Sequence, residues 1–198
     1  MNAATLKFAR TLALLALFAP AGAWAQWELE ATKSVVNFVS VKNDSAAEIH
    51  SFPQLVGYVS AQGNMQLAID LASVETLIPI RNERMQEMLF ETSKFSAATI
   101  SGVIDPEIIA AVAGGGTLST DLTLTLALHG MEKVLTCPVV LVGEASGRIQ
   151  VFTPTPVIVN AADFGLEAGV AALQSVAGLK AISTAVPVTV HLVFSRAQ

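Results

Sequence analysis

The chain has 198 residues, of which 53% are hydrophobic and only 14% charged, with a formal net charge of -5. This balance excludes an intrinsically disordered chain, and it lacks the basic stripe with which a nucleic-acid partner releases phosphate counterions. The mean hydropathy of +0.58 is high for a water-soluble protein, so the chain either enters a membrane or encloses more apolar surface than a filled core needs.

Residues 1–25 read as a secretory signal peptide: Lys7 and Arg10, an apolar run from Leu12 to Ala19, the Pro20 break, and the small-residue site Ala23-Trp24-Ala25. The run is too short to cross a hydrocarbon core of ~30 Å, and a cleavage pattern follows it directly. Cleavage after Ala25 leaves residues 26–198 as a single domain, located in the periplasm or secreted. No later stretch holds 18 consecutive apolar residues, so no stable membrane insertion is expected of the mature chain.

Period-two alternation dominates the mature chain, and this is the pattern of half-buried strands. Strands are expected at 34–41, 48–52, 57–60, 65–71, 98–104, 134–142 and 147–155. The clearest pattern places Leu118, Leu122, Leu124, Leu126 and Leu128 on one face, with Ser119, Asp121, Thr123, Thr125 and Ala127 between them. At the carboxy terminus Val186, Val188, Val190, Leu192 and Phe194 share a face in the same way. Many short, closely spaced strands favour an antiparallel barrel over a parallel sheet.

Three short covering helices interrupt this rhythm. Arg84–Ser93 brings Met85, Met88, Leu89 and Thr92 onto one face. The second starts at Asp105-Pro106, a cap followed by a first-turn proline, and stops at Gly114-Gly115-Gly116. The third runs from Leu166 through Val170, Leu173 and Val176 to Gly178.

The chemistry-bearing residues are sparse. His50, His129 and His191 fall on different strands, without the tight ligand spacing that a metal site shows, so neither a metal nor another cofactor is expected. Cys137, the single cysteine, precedes Pro138 in an apolar run and reads as a buried, inert thiol. There is no Gly-x-Ser-x-Gly elbow and no lysine-bearing phosphate loop, so no catalytic residues are assigned and the protein is not expected to be an enzyme. Arg81 and Arg84, spaced i and i+3, either clamp an anionic head group or pair with Glu83, Glu87 and loop carbonyls. The leucine face likewise has two readings: the core of a small filled barrel, or the lining of a wide one that holds a hydrocarbon chain.

The order of several motifs resembles the YceI-like family of secreted polyisoprenoid-binding proteins. These motifs are Trp27-Glu28-Leu29, Ser34-Val35-Val36-Asn37-Phe38, Gly57-Tyr58-Val59, and Ile69-Asp70-Leu71-Ala72-Ser73-Val74-Glu75-Thr76. Next come Arg81-Asn82-Glu83-Arg84-Met85, Leu124-Thr125-Leu126-Ala127-Leu128-His129-Gly130, and Asp163-Phe164-Gly165-Leu166. The sequence departs from the family pattern in lacking a basic residue before Asp163-Phe164-Gly165, in Ser96 after Phe95, and in the helix at 105–113. The resemblance implies a mainly β, lipocalin-like extended barrel that binds a long isoprenoid or similar amphiphilic lipid without catalysis. Carried over to this sequence, the cavity candidates are Val36, Phe38, Ile69, Leu71, Leu122, Leu124, Leu126, Leu128, Phe164, Val188, Val190, Leu192 and Phe194. Arg81 and Arg84 would lie near a covering helix, whose displacement would release the lipid.

The expected partner is therefore a polyprenyl or isoprenoid quinone lipid, with a homodimer left open. Two rival readings stand beside it: a solid-core interaction module for an envelope or electron-transfer complex, and an enzyme that modifies a bound lipid.

Overall fold

The computed structural model describes residues 25–43 and 45–197. The expected signal segment lies outside these residues, apart from Ala25. Among the described residues no helix is long and apolar enough to cross a membrane.

The chain forms a closed, eight-stranded antiparallel barrel, in which several strands are bent into two segments. Strands β1 (Ala25–Leu29) and β2 (Val35–Lys42) form one bent strand, and β3 (Ala46–Phe52) and β4 (Leu55–Ser60) form the next. They pair as a long hairpin, with Val36 opposite Phe52 and Trp27 opposite Val59. Then come β5 (Asn64–Asp70), β6 (Ala97–Val103), β7 (Thr117–Leu128) and β8 (Met131–Gly143), each beside its predecessor. A third bent strand comprises β9 (Ile149–Phe152) and β10 (Val157–Asn160), and β11 (Ala185–Arg196) closes the circle against β1 and β2. Next-neighbour connections carry the sheet round to β11, which pairs with β1, β2, β9 and β10 and so closes the circle.

Each bend has a local cause. Between β1 and β2, the buried Ser34 hydroxyl donates to the Glu30 carbonyl at 2.9 Å and accepts from the Val193 amide at 2.9 Å, which satisfies the backbone where the strand turns. Pro53 separates β3 from β4, and Pro154 and Pro156 separate β9 from β10, because proline has no amide to offer a ladder. The strand expected over 147–155 is therefore two segments, the second of them beyond the expected end. The β7–β8 hairpin turns on His129-Gly130, both at positive φ (52° and 77°), the geometry of a two-residue turn whose twist matches its strands.

The helices close the barrel's ends. Helix α1 (Pro79–Arg84) continues into a single π turn, Met85–Leu89. It starts five residues before the expected Arg84–Ser93, because Pro79 at the first turn sets its beginning. Arg81 and Arg84 consequently lie within a continuous helical run that ends only at Leu89. Helix α2 (Pro106–Val112) has the expected Asp105 cap, whose carboxylate accepts from the Glu107 amide at 2.9 Å. It places Ile109 and Val112 at one end of the barrel. Helix α3 (Glu167–Val176) and the π turn cover the other end. Their contact depends on Gly169: a Cβ there would fall 2.7 Å from the Met88 carbonyl oxygen and 2.8 Å from Leu89 Cα.

Candidate functional site

Period-two strands wrapped into a circle direct every second side chain inward, and here those side chains do not fill the space. A cavity of about 250 Å³ runs through the barrel, from Trp27 and Ile109 near α2 to Phe38, Phe90 and Val170 under the covering helices. Twelve of the sequence-derived candidates line it: Val36, Phe38, Ile69, Leu71, Leu122, Leu124, Leu126, Leu128, Val188, Val190, Leu192 and Phe194. Phe164 does not. It is almost fully buried in the turn Ala161–Phe164, and its carbonyl accepts from His129 Nδ1 at 3.3 Å.

The lining has no charged residue among the described residues, and its polar groups there are Cys137, Thr153 and the indole N–H of Trp27, which is buried without a hydrogen-bond partner. Thr153 Oγ1 is already occupied, accepting from the Val190 amide at 3.1 Å. Cys137 is half-buried with its thiol pushed above the ordinary range by burial, which keeps it protonated and a weak nucleophile. The interior therefore offers dispersion contacts and removal from water, at ~0.8 kcal/mol per buried methylene, and almost no hydrogen bonding. No group of acidic, histidine or cysteine side chains among the described residues could hold a metal ion.

Sequence reasoning missed part of this lining. Leu135, Cys137, Val139 and Leu141 alternate along β8 and all face the cavity, a pattern readable in the expected strand over 134–142. Val157 and Val159 also line it, but they lie on β10, which the prolines concealed.

The wall is split on this side. The β8–β9 ladder runs from Gly143 opposite Ile149 to Val140 opposite Phe152 and stops there. Continued in register it would set Val134 opposite Ile158, yet β10 pairs only with β11, and no backbone hydrogen bond joins 131–139 to 153–160 among the described residues. Pro138 and Pro154 stand where the strands part, and the turn at Ala161–Phe164 closes the seam's other end through the Lys133–Asp163 ion pair at 3.0 Å. The outer lips are apolar, with Val134 68% and Ile158 50% exposed.

At the helix-covered end the inner face of the β2–β3 hairpin passes from apolar to polar. Val36 pairs with Phe52, Phe38 with His50, and Ser40 with Glu48, while Lys42 lies next on the same face. The carboxylate of Glu48 takes both the Lys42 ammonium, at 2.9 Å, and the Arg81 guanidinium, and these partners hold it below the usual carboxylate range. Arg81 also donates to the Thr76 carbonyl at 2.6 Å. Neither Arg81 nor Arg84 lines the cavity. Arg81 is instead bound to an acidic residue on a neighbouring strand, a pairing that sequence spacing did not reveal. His50 is 3% exposed, with Nε2 at 2.8 Å from Ser40 Oγ. Burial, then the Arg81 charge, lowers its pKa and keeps the ring neutral.

A closed antiparallel barrel around an apolar, uncharged cavity defines a container for apolar molecules, of the lipocalin-like kind. The chain belongs to the YceI-like family: the model of the YceI-like domain matches residues 27–194. Among solved structures it is similar to a polyisoprenoid binding domain from Saccharophagus degradans implicated in plant cell wall breakdown, at 39% identity and a TM-score of 0.85, covering 88% of this chain and 100% of that one. BcnA of Burkholderia cenocepacia shares the fold at 21% identity and a TM-score of 0.64, over 83% of this chain and 98% of that one. The YCEI protein of Campylobacter jejuni is more distant, at 14% identity and a TM-score of 0.50, over 80% and 84%. A comparison with curated proteins gives no significant match.

Proposed function

We propose that the protein is a periplasmic carrier that holds a long-chain isoprenoid or similar amphiphilic lipid, a polyprenyl or isoprenoid quinone, in the barrel. The observation that carries this reading is the continuous cavity without a charged side chain, which suits a hydrocarbon chain and little else. The relative from Saccharophagus degradans, described as a polyisoprenoid binding domain, supports the choice of lipid. The mechanism is passive: apolar area leaves water, and no bond is made or broken.

Exchange goes through the seam between β8 and β10. Parting α3 from the π turn would undo the close packing at Gly169, whereas opening the seam breaks no backbone hydrogen bond among the described residues. Apolar lips at Val134 and Ile158 let a chain enter sideways along its length instead of threading end-first. This route replaces displacement of the helices.

Trp27 lines the cavity and reports on its occupancy. Titration with a fluorescent polyene isoprenoid should give saturable energy transfer from Trp27 at one chain per protein. Absence of saturable transfer, with the protein folded, would remove the carrier reading.

A further inference from the structure

Two buried nitrogens at the helix-covered end have no hydrogen-bond partner in the protein: His50 Nδ1 and Arg81 Nε. Both lie where the inner wall changes from apolar to polar. His50 shares the inward face of β3 with Phe52 and stands in register opposite Phe38, and both phenylalanines line the cavity. Its ring centroid is 5.1 Å from that of Phe38, which in turn stacks on Phe52 at 5.2 Å. The imidazole therefore sits one side chain beyond the cavity's end.

A buried nitrogen left unpaired costs free energy comparable to a lost hydrogen bond, so a further group that pairs with these nitrogens gains that energy. The other bonds at the site restrict what that group can be. When the Ser40 hydroxyl donates to Nε2, the neutral ring carries its proton on Nδ1, which becomes a donor. Arg81 Nε is a donor in every state. Its remaining nitrogens are committed to Glu48 and to the Thr76 carbonyl.

Resting on the carrier reading, we propose that His50, backed by Arg81, receives the polar end of the lipid and that this end presents an oxygen acceptor. Such an oxygen is common to the carbonyl of an isoprenoid quinone and the phosphate of a polyprenyl phosphate. The hydrocarbon lies in the cavity, the Phe38 ring turns aside, and the oxygen takes the Nδ1 proton donor. Selection between lipids with equal tails then depends on the β2–β3 hairpin and not on the leucine face of β7.

The test compares three probes, squalene, an isoprenoid quinone and a polyprenyl phosphate, on the wild type, His50→Phe and His50→Asn. Phe removes both ring nitrogens and keeps the packing, while the Asn amide can still donate. The expected result is a loss of about tenfold in affinity of His50→Phe for an oxygen-bearing probe, with squalene unchanged to within about twofold and much of the loss regained by His50→Asn. A loss confined to the quinone identifies a carbonyl ligand, and one confined to the phosphate identifies an anionic one. Equal weakening of all three probes would overturn the proposal by making His50 a packing residue, as would no weakening of any. If none of the three probes binds the wild type, the carrier reading falls and this assignment falls with it.

Discussion

Pro138 of β8 and Pro154, two residues beyond β9, line one small cleft at the point where the ladder between these strands stops. Neither can donate a backbone hydrogen bond, so the wall of a closed barrel parts here without exposing unpaired amides at these two positions. If lipid passes through this seam, tying its lips together should trap or exclude it. In a Cys137→Ala background, Val134→Cys and Ile158→Cys joined by a short bismaleimide should slow transfer of a fluorescent isoprenoid to vesicles by about tenfold, with equilibrium occupancy preserved. An unchanged transfer rate after complete bridging would assign exchange to another route.

Unfilled space predicts an unusual response to overpacking. In a filled core a small-to-large change costs ~1–3 kcal/mol. Val188 is half-buried on β11 and faces the cavity, so Val188→Trp should enter free volume and change stability by less than about 1 kcal/mol. Lipid uptake should nevertheless fall by about tenfold or more, since the indole occupies the chain's place. Urea unfolding and lipid titration of the same preparation separate the two effects.

Leu77 is held at φ 64° with its side chain 86% exposed. The Glu75 carboxylate accepts from its amide at 2.5 Å, and the Asn82 side-chain oxygen accepts from the Thr76 amide at 2.9 Å, so the loop before α1 fixes this backbone from both sides. A branched residue in the left-handed region costs ~1–2 kcal/mol, whereas glycine adopts it freely. Leu77→Gly should therefore raise stability by about 1 kcal/mol after the entropy of the unfolded glycine is counted, and Leu77→Ala should not. Denaturant midpoints of the two variants check this directly.

His50 gives the fold a pH dependence of known sign. Burial, with Arg81 and Lys42 acting in the same direction and Glu48 against them, holds the ring below its ordinary value of 6.5. As pH falls the unfolded chain takes up this proton first, so the stability His50 contributes is complete above 6.5 and declines as pH falls through that value toward the folded one. His50→Phe should flatten the fall in unfolding free energy between about pH 7.5 and pH 5.5. Glu48, also held below its ordinary 4.5, adds a further loss at lower pH that the variant retains.

Much of the barrel was legible because alternation is dictated by the pleat: once Leu122, Leu124, Leu126 and Leu128 share a face, that face must turn inward. The same alternation could not show whether the inside was filled, since a core leucine and a cavity leucine obey one period. β10 escaped notice because only four residues, Val157–Asn160, come after two prolines. Those prolines were nonetheless the readable sign of the split wall. Arg81 was singled out for its rarity, but its partner Glu48 lies 33 residues away, a distance over which sequence spacing carries no pairing information. His50 looked like an ordinary strand histidine until its register with Phe38 and its unpaired nitrogen were visible. Phe164 was placed in the cavity on its motif alone; the tight turn after β10 directs it into packed core instead.

Whether the barrel holds a lipid is tested most directly by native mass spectrometry of the gently purified protein, with solvent extraction and identification of whatever accompanies the chain. The expected result is an adduct of one isoprenoid per protein, or quantitative uptake of an added polyprenyl or quinone by the empty form. A clean apo mass with no uptake from an excess of these lipids would contradict the carrier reading and favour a barrel that works only through its outer surface.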